Sequence, residues 1–261
     1  MKKNEVKKIL IIIAILFLVS SCRDKVNIQT INDLDGKKIG IPVGPISESE
    51  ISSIYPNAKI NFFSNTQNAI AELKKNKIDV IVYDTPMLKH LITQQTGMVI
   101  IDNYINRHDY AFAVRLNNNT YKEAIDRTID LIIKSGIYED MSTRWFPIDG
   151  SKVTMPNIQL SNRRGVLKFG TSAIREPFSY LDEEGKIIGF DIELAHYIAQ
   201  GLEMDLEIVN MQYAALIPSI LASRVDMIGA CIIVTDERAK SVTFSKPYFY
   251  GGLGALIKEQ K

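Results

Sequence analysis

Beyond residue 37, short apolar runs alternate with stretches in which apolar residues recur every three or four positions, the periods of buried strands and amphipathic helices. In a first segment the pattern predicts strand Lys38 to Ile41, then a turn through Pro42-Val43-Gly44-Pro45 into a helix with Ser47 as N-cap. Strand Lys59 to Phe63, helix Thr66 to Lys75, strand Val80 to Tyr83 and helix Pro86 to Gln95 follow, the last opening on a proline whose missing N–H costs nothing in a first turn. Strand Tyr110 to Val114, helix Tyr121 to Ser135 stopped by Gly136, and helix Tyr138 to Trp145 complete it. A second segment is predicted as strand Val166 to Gly170, a turn at Asp182 to Gly185, strand Lys186 to Phe190 and helix Ile192 to Gly201. It continues with strand Leu206 to Val209, helix Ala214 to Ser223, strand Asp226 to Ile232 and a closing strand Gly254 to Lys258. Between the segments the 16 residues Asp149 to Arg164 carry Gly, Ser, Pro and Asn without apolar period. As a linker they reach up to about 50 Å at about 3.3 Å per residue. The expectation is α/β, two lobes with a cleft between them: residues 22–148, the linker 149–164, and residues 165–261.

The segments share an internal echo. Ala69-Ile70 with Leu73 leads to Ile78-Asp79-Val80-Ile81, and Ile217 with Ile220-Leu221 leads to Val225-Asp226-Met227-Ile228. In each, a helix with one apolar stripe turns at a basic stretch into a strand that begins at an aspartate.

Residues 1–21 stand apart. Lys2, Lys3, Lys7 and Lys8 precede the 11-residue apolar run Ile9 to Val19. That run is too short for a membrane-crossing helix, which needs about 20 residues, and reads as a secretory signal. Its end, Val19-Ser20-Ser21-Cys22, resembles the lipobox of bacterial lipoproteins. That resemblance implies cleavage and lipid (palmitate-bearing) modification at Cys22, and a membrane-anchored, periplasmic or otherwise extracytoplasmic protein. Setting aside the four lysines and Glu5 takes the formal charge from +1 to −2, so net charge gives no reason to bind nucleic acid. With Cys22 acylated, Cys231 has no disulfide partner and reads as a small buried hydrophobe in the run Met227 to Val234.

No Gly-x-Ser-x-Gly elbow, His-Glu-x-x-His, phosphate-cradling loop or dinucleotide fingerprint occurs, and the three histidines, His90, His108 and His196, are scattered. The expectation is no enzyme, no metal and no cofactor. What stands out is Val225-Asp226-Met227-Ile228-Gly229-Ala230-Cys231-Ile232-Ile233-Val234-Thr235-Asp236-Glu237-Arg238, followed by Val242 to Tyr250. With Glu176-Pro177-Phe178-Ser179-Tyr180, Gly185 to Ala195 and Tyr213 to Leu221, it resembles the family 3 extracellular solute-binding proteins of bacteria. These are bilobed type II periplasmic proteins that bring polar amino acids to ABC permeases. Asp33 to Ile41, Val80-Ile81-Val82-Tyr83-Asp84-Thr85-Pro86 and Ser135 to Phe146 resemble that family's second lobe. Here it precedes the first, which leaves two arrangements open: a circular permutation closing one cleft, or a tandem whose missing lobe lies beyond Lys261.

The resemblance implies a ligand site. Arg238 would receive a carboxylate with a two-pronged guanidinium, Asp84 would accept an ammonium from the other lobe, and Tyr213 would stack on the ligand. Phe178, Ser172 and Arg175 belong to the first binding loop, Ala230 and Thr235 to the signature, and Gly44 and Ser47 to a turn whose helix N-terminus can offer N–H groups. Several positions depart from the family pattern: Ile233 replaces a Ser or Thr, Cys231 a Gly or Ser, Ser172 an acid, Arg175 an aromatic, and Pro42 and Pro45 polar residues. The function expected is capture of an amino acid or related organic acid for an ABC transporter. The alternatives are a ligand-sensing or degenerate binding module, and a dehydratase-type enzyme on the same fold.

Overall fold

A computed structural model describes residues 27–259 apart from 45, 47, 148–150 and 162, so the leader, Cys22 and Ser47 lie outside the described residues. Strands β1 (Lys38–Pro42), β2 (Lys59–Phe63) and β3 (Val80–Asp84) are parallel and lie in the order β2-β1-β3. β3 is buried at every position and lies at the centre of its sheet, as a continuous apolar run requires. Beside it runs β14 (Phe249–Lys258), antiparallel and donated from the far end of the chain, then β4 (Met98–Ile100); β5 (Asn106–Tyr110) also pairs with β14. A second sheet has the order β11-β7-β12-β6-β13, with β7 (Val166–Thr171), β11 (Asp205–Asn210), β12 (Met227–Ile228) and β13 (Val242–Phe244) from the second segment and β6 (Ala113–Arg115) from the first. A small antiparallel sheet, β8 (Ile174–Arg175), β9 (Ser179–Leu181) and β10 (Ile187–Ile188), flanks it.

The two large sheets therefore share one plan: three parallel strands, one strand borrowed from the other segment, and a last strand beyond it. The echo in the sequence has a structural counterpart. Asp79 accepts the N–H of Lys38 at 2.8 Å, and Asp226 accepts that of Lys168 at 2.9 Å, so each aspartate ties the start of its strand to the middle one of the three parallel strands, β1 or β7.

The exchange divides the chain differently from its apolar segments. The predicted strand Tyr110 to Val114 is in fact a crossing: β5 ends in the first sheet at Tyr110 and β6 begins in the second at Ala113. A second crossing, Ser245 to Tyr248, runs beside it, with the N–H groups of Tyr248 and Ser245 donating to the carbonyls of Tyr110 and Phe112 at 2.9 Å. Beyond β6, helices Asn119–Lys134 and Ile137–Trp145 pack on the second sheet's side, against helix Phe190–Gly201. Buried Glu193 fixes the second of them, accepting from Trp145 Nε1 at 2.6 Å and from Arg144 at 2.8 and 2.9 Å. Between the segments, Val153, Met155 and Leu160 are half-buried on the core.

Because each sheet needs a strand from the other segment, the lobes unfold together. Leu256, fully buried in β14, is expected on truncation to alanine to lower stability by about 2 to 5 kcal/mol. Urea unfolding followed by Trp145, the chain's single tryptophan and a reporter of the other lobe, shifts together with far-UV circular dichroism. Two separated transitions would refute the shared core.

Candidate functional site

Parallel strands present their C-terminal ends on one edge, and ligands of open α/β sheets gather there. Here the ends of β1 and β3 in one sheet face the residues following β7 and β12 in the other. Asp84, the last residue of β3, is fully buried, and Tyr83 beside it is nearly so. Arg175, carried on β8, reaches into the first lobe. Its Nη2 donates to Asp84 Oδ2 at 2.6 Å and its Nη1 to the Tyr83 hydroxyl at 3.0 Å, and the whole side chain is 1% exposed. The Tyr110 hydroxyl donates to the other Asp84 oxygen. The rings of Tyr83 and Tyr213 each lie 5.4 Å from the guanidinium carbon, so the cation sits among π faces as well as oxygens. Gly44 leaves the space: a Cβ there would stand 2.6 Å from Arg175 Nη1.

Burial works against the charge of Arg175, and the facing oxygens of Tyr83 and Asp84 outweigh it, so the guanidinium stays protonated. Burial also raises the phenol of Tyr83 above its ordinary range. A second crossing contact adjoins the first, His90 Nε2 standing 3.0 Å from Glu176 Oε1.

Arg238 lies at the other end of the cleft. Thr235 caps its short helix by accepting the Arg238 N–H at 3.2 Å, Nη1 donates to the Ile233 carbonyl at 2.9 Å, and the guanidinium carbon is 6.0 Å from the Tyr213 ring. A cavity of about 140 Å³ opens beside Tyr213, Ile217, Ile232 and Arg238. From the first lobe Glu50 contributes its charge. Burial would raise its pKa, but hydrogen bonds from His108 and Asn106 and the nearby charges of His108 and Arg238 hold it below the usual range.

The sequence-derived residues divide accordingly. Asp84, Arg175, Tyr213 and Gly44 converge at the cleft, with Arg238 and Thr235 at its end and Ala230 and Ser172 buried close to the strand ends. Phe178 does not belong to the cleft: it is fully buried in an aromatic cluster at the crossings, 5.1 Å from Phe249, 5.2 Å from Phe146 and 6.1 Å from Tyr110 between ring centroids. The reason is size, since those rings fill the hinge side by side. Asp84 is likewise no open acceptor, because Arg175 already holds it. Tyr83 and Tyr110 were not singled out by sequence; the one signal for the arrangement was an arginine where the family pattern carries an aromatic.

One further buried acid shapes the site. Asp191, at the start of the helix Phe190–Gly201, accepts the Cys231 N–H at 3.1 Å and supports a backbone turn with φ +53° at Cys231. Burial pushes its carboxyl up to about 7, against the opposing effects of the Tyr248 hydroxyl, the Cys231 N–H and Arg175. Two larger open clefts, about 760 and 670 Å³, share Thr85, Lys89 and Tyr104, and Arg175 lines neither. Among the described residues no cluster of three metal-ligating side chains occurs, and no helix is long and apolar enough to cross a membrane.

Residues 167–261 match the profile of the bacterial extracellular solute-binding proteins, family 3. Over 96 residues the chain is 31% identical to the L-cystine-binding protein TcyJ of Escherichia coli, a match covering 37% of this chain and 36% of that protein. Over 94 residues it is 33% identical to the probable amino-acid-binding protein YxeM of Bacillus subtilis, covering 36% and 35%. The chain thus spans little more than a third of the length of these curated relatives. A weaker but longer match, 20% over 239 residues, runs through 87% of this chain and 19% of the virulence sensor protein BvgS of Bordetella pertussis. Among solved structures, the arginine-bound domain 1 of TmArgBP aligns at 40% identity with a TM-score of 0.33, over 37% of this chain and 82% of that one.

The raised carboxyl of Asp191 gives a pH test. The folded chain keeps a proton there that the unfolded chain releases near pH 4, so stability falls as pH rises from about 4 to about 7 and is flat above. The slope from this group is up to about 1.4 kcal/mol per pH unit. In denaturant titrations Asp191→Asn is expected to remove that slope; an unchanged profile would reassign the carboxyl.

Proposed function

With residues 167–261 belonging to the bacterial extracellular solute-binding proteins of family 3, we propose that this chain is a bilobed receptor module, without catalytic activity, whose ligand site is the cleft between its two sheets. One observation carries the reading: the strand ends of both sheets meet at a single buried constellation, with Arg238, Tyr213 and a small cavity at one end of it. The ligand class is a small solute carrying a carboxylate, an amino acid or related organic acid, held by the guanidinium of Arg238. Closure would follow from contacts that only the closed form offers. Transport through an ABC permease is the role supported by a further relative, the ABC transporter arginine-binding protein 1 of Escherichia coli, 30% identical over 93 residues. The lipobox-like Val19-Ser20-Ser21-Cys22 supports tethering to a membrane of the cell envelope.

Two observations favour a second role for the same module, that of an input domain for a signalling partner. Asp84, the expected acceptor of a ligand ammonium, is already paired within the chain. The order of segments here also runs in step with a long stretch of a sensor protein, as expected if the two lobes derive from consecutive units of a longer array.

Thermal unfolding of the chain against a panel of amino acids and small carboxylates tests the receptor reading. A ligand at 100 times its dissociation constant adds about 2.7 kcal/mol, and Arg238→Ala is expected to weaken binding about 10- to 100-fold. Uniform silence across the panel would sink it. Cys22→Ala is expected to release the protein from the membrane fraction, and retention there would exclude the anchor.

A further inference from the structure

Asp84, Tyr83, Tyr110 and Tyr213 form a box for a cation: a fully buried carboxylate, two ring faces and two hydroxyls, closed off from water. A cation entering such a box must shed its hydration, and the carboxylate repays that cost only with good geometry and neighbouring dipoles. In this chain the cation is Arg175. It is not a surface residue that has drifted inward. The loop that carries it is short, pinned by the Ile174 N–H to Ser172 carbonyl bond at 2.9 Å and the Phe178 N–H to Arg175 carbonyl bond at 2.8 Å. Gly44 yields the volume its guanidinium needs. The next residue, Glu176, reaches across the same gap to His90. Two consecutive side chains of one lobe thus grip two elements of the other.

We propose that Arg175 is a tethered stand-in for the cationic end of a ligand: it fills the subsite at Asp84, joins the lobes without an external cation, and so excludes α-amino acids from the cleft. The inference rests on the receptor reading for the location of the cleft and narrows its ligand class to acids that carry no ammonium. Those acids would meet Arg238 and the cavity beside Tyr213, leaving the box at Asp84 untouched. A lobe pair closed by its own guanidinium also has a closed form that does not wait for solute, which suits an input domain read by its state of opening.

Thermal unfolding of the full chain, followed by Trp145 fluorescence, tests this with methylguanidinium, glycine and L-alanine as probes. The wild type is expected to respond to none of them. Arg175→Ala, which vacates the box, is expected to gain a saturable rise of about 3 °C or more at ten times the dissociation constant. The double variant Arg175→Ala with Asp84→Asn, which leaves no charge to satisfy, is expected to fold and to lose the response. Should Arg175→Ala fold only in the presence of methylguanidinium, the proposal is supported equally. It is overturned if the wild type is stabilised by the amino acids in a manner that Asp84→Asn abolishes. It is also overturned if Arg175→Ala gains nothing, whether folded or unfolded, while the double variant is folded. The receptor reading is scored separately, by the wild type's response to ammonium-free acids, so either reading can fail while the other stands.

Discussion

The contact between Arg175 and Asp84 is the constraint on which the arrangement of the two lobes depends. A guanidinium and a carboxylate taken out of water each lose several kcal/mol of hydration, and their attraction recovers it only when every remaining hydrogen-bonding position is well used. Around this pair Tyr83 and Tyr110 supply hydroxyls, Tyr83 and Tyr213 supply ring faces and Gly44 supplies room, while the buried Nε of Arg175 is left without a hydrogen-bond partner. Separating the lobes would break the pair and expose its apolar walls together. At this point the lobes meet through the chain's own side chains.

That pair works on a scaffold in which neither lobe is self-sufficient. β14 completes the sheet of the first segment and β6 that of the second, and the two crossings run side by side as a ribbon lined with Tyr110, Phe112, Tyr248 and Phe249. The ribbon is packed with rings, Phe112 stacked on Tyr248 at 4.5 Å and Phe178 edge-on to Phe249. The sheet topology requires only that each segment return one strand to the other, whichever comes first in the chain. The same plan in both sheets, down to the paired aspartates Asp79 and Asp226, identifies the lobes as two versions of one structural unit.

Much of this was legible in the residues. Strands β1, β2, β3, β7 and β11 and the long helices follow from the apolar pattern: β1 and β3 bury continuous runs, while β2 and β11, at the sheet edges, half-bury only part of theirs. The crossings were not legible: Tyr110 to Val114 has the composition of one strand, and only tertiary pairing splits it between two sheets. Met98–Ile100 and Val242–Phe244 are too short to show a period. At the candidate site, Asp84, Arg238 and Tyr213 were singled out through resemblance, as was Phe178, which lies in the aromatic core at the crossings because a ring in a binding loop and a ring in such a core look alike in sequence. Arg175 was visible only as a departure from pattern. Its meaning required the distance to Asp84, since no one-dimensional signal pairs residues 91 positions apart.

The most direct measurement is a double-mutant cycle between these two positions. Unfolding free energies of the wild type, Arg175→Ala, Asp84→Asn and the double variant would be obtained by denaturant titration at one pH. The account predicts a strongly non-additive cycle, with each single change costing about 3 to 5 kcal/mol and the double variant regaining most of the second loss. Additivity within about 0.5 kcal/mol would contradict it, for then the guanidinium and the carboxylate would contribute independently and the lobes would be held by something else.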